Sequence, residues 1–184
     1  PAWRTSIAVD TDGHWQQHRE AAQRALVQLE RDDEVRAMLG DDAPTLSAGG
    51  FHPWAWDGAR SMWASGHYRQ AVVNALGKVQ AETQNKTGRH DLSEAKLFTE
   101  VFAPSPPKNG SPRLRLRTDD GSDTYKSAQR GAMTLAEGLF AGIRNVAVHT
   151  VAENEVDQQE ALEQLAAVSV LARWVDASSL EVAS

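Results

Sequence analysis

The chain is 184 residues long, contains no cysteine, and carries a formal net charge of −6 from 19 Lys and Arg against 25 Asp and Glu. That length suits one compact domain with a single core. The acidic balance excludes a uniformly basic nucleic-acid coat, and the missing thiols exclude disulfides, thiolate nucleophiles and thiolate metal sites. No apolar run approaches the ~20 residues that span a bilayer, and no secretory signal opens the chain, so a cytoplasmic protein without membrane contact is expected.

The first helical pattern runs from about His14 to Leu39, with Trp15, Ala22, Leu26 and Leu29 as a sparse apolar stripe and a break expected near Arg31-Asp32-Asp33. Asp41-Asp42-Ala43-Pro44 and Ser47-Ala48-Gly49-Gly50 read as loop. Residues 1–50 are therefore taken as an N-terminal helical arm and linker, and residues 51–184 as the main helical domain.

Pro53 suits the first turn of a second helix, and Gly66 suits its end. A third helix follows from His67-Tyr68 to about Lys86, stopped by Gly88, with Ala71, Val72, Ala75, Leu76 and Val79 as its buried stripe. The two-residue link Ser65-Gly66 predicts a hairpin or a kinked pair. Asp91 and Glu94 have capping-box spacing and are expected to open a fourth helix, which Pro104 stops.

Residues 103–124 are irregular by composition. Within them, Arg113-Leu114-Arg115-Leu116-Arg117 alternates with period two, which predicts an extended segment with arginines on one side and leucines packed on the other. Arg113, Arg115 and Arg117, together with Lys126, are the candidate phosphate contacts outside the motif below; plain solvent exposure is the alternative.

A fifth helix runs from about Thr124, with Ala132, Ala136, Leu139, Ile143 and Val146 as its core face. The last opens with Asp157 and Glu160 at capping-box spacing and carries the stripe Ala161, Leu165, Val168, Ala172 and Val175. No alternating run is long enough for a sheet, so the fold class expected is an all-α bundle.

The fifth helix ends in Arg144-Asn145-Val146-Ala147-Val148-His149. Arginine is a permanent cation that forks onto phosphate, and histidine moves protons near neutral pH. Asn145 and His149 share a helix face, which continues back through Gly142, Gly138, Leu135 and Gly131. Each glycine costs about 1 kcal/mol of helix propensity, and close approach of another backbone is the usual compensation. Arg144 lies about 140° from His149 on an ideal helix. The two converge on one ligand if the helix distorts, if the arginine reaches around, or if each meets its counterpart across a dimer axis. A structural ion pair for Arg144 with Glu153 or Glu155 is the competing interpretation.

His52 and His67 lack acidic or histidine partners at ligand spacing, so no metal is expected and His52 reads as a helix-start residue. Trp54, Trp56 and Trp63 read as core and interface rather than a base-stacking platform.

Arg-Asn-x-x-x-His at the end of a core bundle helix resembles the signature of the HEPN superfamily. The ordered set of Phe51-His52-Pro53-Trp54, Gly66-His67-Tyr68-Arg69-Gln70-Ala71-Val72, Pro112-Arg113-Leu114-Arg115-Leu116, Gly142-Ile143-Arg144-Asn145 and Leu171-Ala172-Arg173-Trp174 is similar to its Ymh-like, abortive-infection branch over about residues 51–176. The resemblance implies a HEPN-like bundle of about four core helices, commonly a homodimer, acting without cofactor as a metal-independent endoribonuclease in phage defence or a toxin–antitoxin system. It implies Arg144 and His149 as the catalytic pair, Asn145 as their polar neighbour, RNA as substrate, and an antitoxin or defence-system protein as a further partner. The alternative is a non-catalytic module of the same fold that binds RNA, a nucleotide or a partner protein.

Overall fold

A computed structural model describes residues 18–20, 22–24, 26–27, 46–149 and 156–183, with the side chains of residues 148 and 149 outside the description. The chain divides into two compact units, Pro1–Thr45 and Leu46–Ser184. In the first, the described residues are helical, and Glu20 and Arg24 form an exposed pair one turn apart at 3.8 Å. The break expected near residues 31–33 and the loop at 41–44 lie outside the described residues.

The second unit is an all-α bundle with a small two-stranded sheet against it. Helix α1 (Pro53–Ala64) begins where expected, with proline in its first turn, and is followed at Gly66 by a residue with φ +79°. Helix α2 (Tyr68–Thr87) turns back on α1 as a hairpin. Their crossing is tight at Gly58, where a Cβ would meet Ala75 Cα at 2.8 Å and Asn74 O at 3.0 Å. Gly88, at φ +70°, ends α2 in the left-handed conformation and donates its N–H to Gln84 O.

Helix α3 (Glu94–Val101) buries Leu97, Phe98 and Val101. Helix α4 (Asp123–Gly138) runs on without interruption into a π-helical turn, Leu139–Asn145, and then a short α5 (Val146–His149). Helix α6 (Gln158–Ala177) opens as the capping spacing predicts: Asp157 accepts from the Glu160 N–H at 2.8 Å. Helix α6 packs on α1 and α2, while α3 packs on α4. Leu76, Phe98, Phe102, Leu114, Phe140, Leu165 and Leu171 fill the shared core. No described helix is long and apolar enough to cross a membrane.

Three local expectations are corrected. Asp91 does not cap α3: its carboxylate takes a two-pronged grip from Arg89 (2.8 and 2.9 Å), which holds it below the usual carboxylate range, and Ser93 is the residue at the cap position. The expectation of no sheet fails at Arg113–Arg115 (β1), which pairs antiparallel with Ser179–Glu181 (β2) in the register Arg113↔Glu181, Leu114↔Leu180, Arg115↔Ser179. The extended segment at 113–117 is legible in sequence, but its three-residue partner Ser179–Glu181 carries too short a pattern to show as a strand. Val146, expected on the core face, is 55% exposed. The π turn closes its hydrogen bonds over five residues rather than four, so everything after it is rotated out of the α-helical phase.

Candidate functional site

The π turn is the structural centre of the Arg-Asn-x-x-x-His motif. Its first two residues, Leu139 and Phe140, are both buried, and Phe140 packs on Phe98 of α3 with ring centroids 5.3 Å apart. Single π turns inside α-helices are frequent at functional sites, and Gly142, on the exposed side of this one, is a weak helix former. Arg144 and Asn145 close the turn. The Arg144 guanidinium donates to Asn145 Oδ1 at 3.2 Å, and it forms an ion pair with Glu94 at the first residue of α3. The expected structural partners Glu153 and Glu155 lie outside the described residues.

Glu94 is itself unusual. It has φ +53°, the single positive φ outside glycine among the described residues, and its N–H is taken by Gln80 Oε1 of α2 at 2.8 Å. The left-handed region costs a non-glycine residue about 1–2 kcal/mol, and the two side chains of the pair remain 34% and 36% exposed. An ion pair that wet contributes about 0–1 kcal/mol. The attraction therefore does not by itself offset the backbone that presents it. Local strain of this kind gathers at functional sites.

The other half of the motif, His149, ends α5, and its side chain lies outside the described residues. The glycine face leading to it is open: outside the helix's own backbone no described atom comes within 4 Å of a Cβ built on Gly131, Gly138 or Gly142, so none of the described residues supplies the close approach expected of those glycines.

The arginines of β1 do something else. Arg113 and Arg115 are 3% and 8% exposed. Arg113 donates to the carbonyls of Ser105, Ser111 and Pro112; Arg115 donates to those of Ala103 and Ser105 and pairs with Glu181 at 2.6 Å. Apart from the Lys108–Ser111 bridge the loop 103–112 forms no ladder, and the carbonyls of Ala103, Ser105 and Pro112 take side-chain donors instead. Two guanidinium forks supply those donors. Their candidacy as phosphate contacts is corrected accordingly: they brace the loop. The expected leucine side holds, with Leu114 fully buried and Leu116 packed against the core.

Arg117 and Lys126 are exposed at the other end of α4, where Lys126 lies 3.4 Å from Asp123. A helix rises about 1.5 Å per residue, which sets Lys126 on the order of 25 Å along the axis from Arg144. The two are not brought together within one chain. Arg117 borders a polar hollow of about 270 Å³ with Asp120, Ser122 and Tyr125. The Ser122 hydroxyl and N–H hold the Asp120 carboxyl below its usual range, and burial pushes the Tyr125 hydroxyl up.

His52 is the helix-start residue expected. Its Nδ1 accepts the Trp54 N–H at 3.3 Å, so Nε2 carries the proton toward Asp176 Oδ2 at 3.3 Å, and its N–H donates to Ser169 Oγ. Trp54, Trp56 and Trp63 pack on the core, with Trp63 also against Tyr68. Sequence reasoning passed over Gln80 and Gln129, and missed the bond between Glu94 and Arg144. Gln129 is fully buried and joins Phe102, Leu114 and Leu116 through three hydrogen bonds. A single polar residue on an otherwise apolar helix face was the only available signal.

A family model described as "Protein of unknown function (Hypoth_ymh)" matches residues 49–175. No curated protein and no solved structure matches the chain.

Proposed function

The chain belongs to the Hypoth_ymh family, and from that premise we propose that it is a HEPN-type, metal-independent endoribonuclease acting in phage defence or as a toxin. The observation that carries this reading is the π turn, which ends a core helix on Arg144 and Asn145 and leaves the arginine side chain one-third exposed. Arg144 neutralises charge growing on the phosphoryl oxygens during attack. His149 removes the proton from an RNA 2′-hydroxyl or protonates the departing 5′-oxygen. The 2′-oxygen bonds to phosphorus as the bond to the 5′-oxygen breaks, giving a 2′,3′-cyclic phosphate and a 5′-hydroxyl. Asn145 orients the arginine through its Oδ1. The open glycine face is the surface we assign to a second copy, which completes a composite site.

The test is incubation of the purified protein and of His149→Ala with total bacterial RNA in EDTA. Fragments with 5′-hydroxyl ends from the unmodified protein alone support the proposal. Intact RNA in both, cleavage of DNA at equal speed, or strict dependence on magnesium refutes it. The second reading, a module that binds RNA, a nucleotide or a partner protein without cleaving, draws on the ion pair with Glu94, which neutralises the arginine in the isolated chain.

A further inference from the structure

Two backbone irregularities converge on one ion pair: the π turn presents Arg144, and a left-handed residue at the start of α3 presents Glu94. Arg144 meets Glu94 through one guanidinium nitrogen and one carboxylate oxygen, and that charged oxygen is the same kind of acceptor as a non-bridging oxygen of a phosphodiester. Both partners are about one-third exposed, so an anion from solution reaches the guanidinium without unfolding the domain. The grip of Gln80 on the Glu94 N–H fixes where the carboxylate is delivered. Resting on the reading of Arg144 as the phosphate-binding cation, we propose that Glu94 is an internal occupant of the phosphate site, which a phosphodiester ligand must displace. Glu94 is then a positioning residue: it keeps Arg144 aimed while the site is empty and sets the affinity threshold for entry.

The probe is a single-stranded 2′-O-methyl RNA, which lacks the attacking hydroxyl and reports binding alone, measured by fluorescence anisotropy in EDTA. Glu94→Gln is expected to tighten binding about two- to fivefold, the fold-change equivalent of one partly exposed ion pair. Glu94→Gly tolerates the positive φ and removes the carboxylate, so it gives the same gain and guards against a folding artefact. In an Arg144→Ala background both gains vanish. Equal affinity in Glu94→Gln and the unmodified protein, or a gain that persists without Arg144, overturns the proposal. If no variant binds the RNA, the ribonuclease reading falls, and phenylglyoxal modification of Arg144 decides the occupancy. Faster modification in Glu94→Gln, slowed by inorganic phosphate, supports it; equal rates overturn it.

Discussion

Gln129→Met replaces a fully buried amide by an apolar side chain of similar length, and it tests whether one side chain ties β1, the end of α3 and α4 together. The amide donates to Phe102 O at 3.1 Å and Leu114 O at 2.9 Å, and its oxygen accepts the Leu116 N–H at 3.0 Å. Methionine satisfies none of them. Each backbone group left buried without a partner costs about 1–3 kcal/mol. The better fit of an apolar side chain in the core offsets about a third of that total, since the amide no longer has to be desolvated. The three groups together cost about 3–9 kcal/mol, so the expected loss is about 2–6 kcal/mol, against roughly 5–15 kcal/mol for a domain of this kind. In urea, with a slope of about 1–3 kcal/mol per molar, the midpoint should fall by about 2 M, with the slope unchanged. The assay is equilibrium unfolding followed by circular dichroism and tryptophan fluorescence. A loss under about 1 kcal/mol would refute the reasoning, because it would mean that the three backbone groups find other partners or that the sheet is dispensable.

Gly58→Ala should destabilise by about 1–2 kcal/mol: the forced shift at Ala75 and Asn74 exceeds the roughly 1 kcal/mol gained in helix propensity, and thermal unfolding reads the difference. Arg115→Ala should cost about 1–3 kcal/mol, because the Ala103 carbonyl and Glu181 lose their donor while the Ser105 carbonyl keeps Arg113, and RNA affinity per folded molecule should not change. Arg117→Ala, exposed at the end of α4, should leave stability unchanged in the same denaturation assay. Asp120 has its folded pKa depressed by Ser122, so the stability it adds is present above the ordinary carboxylate range and is lost as pH falls through the lower folded value. Asp120→Asn should therefore flatten the decline in melting temperature below about pH 4, and an unchanged acid limb would count against that bond.

The sequence by itself determined the helices and several of their ends, because those signals act within a single turn of chain. Pro53 at the start of α1, Gly66 and Gly88 in left-handed turns, and Asp157 accepting from Glu160 each need only a neighbour a few residues away. The buried stripes of α2 and α6 were equally legible, since period 3.6 repeats along one element. The motif Arg144, Asn145 and His149 could be found, but not what surrounds it. The partners that decide its chemistry come from elsewhere: Glu94 is fifty residues from Arg144, and the Gln80 that fixes Glu94 sits on another helix. Arg115 looked like a phosphate contact because its period-two spacing is the same whether it faces water or a loop full of carbonyls. Only the return of Ser179–Glu181 alongside Arg113–Arg115 settled which. The π turn, too, belonged to the tertiary structure: it lies where Leu139 and Phe140 enter the core, and no local preference in those residues records it.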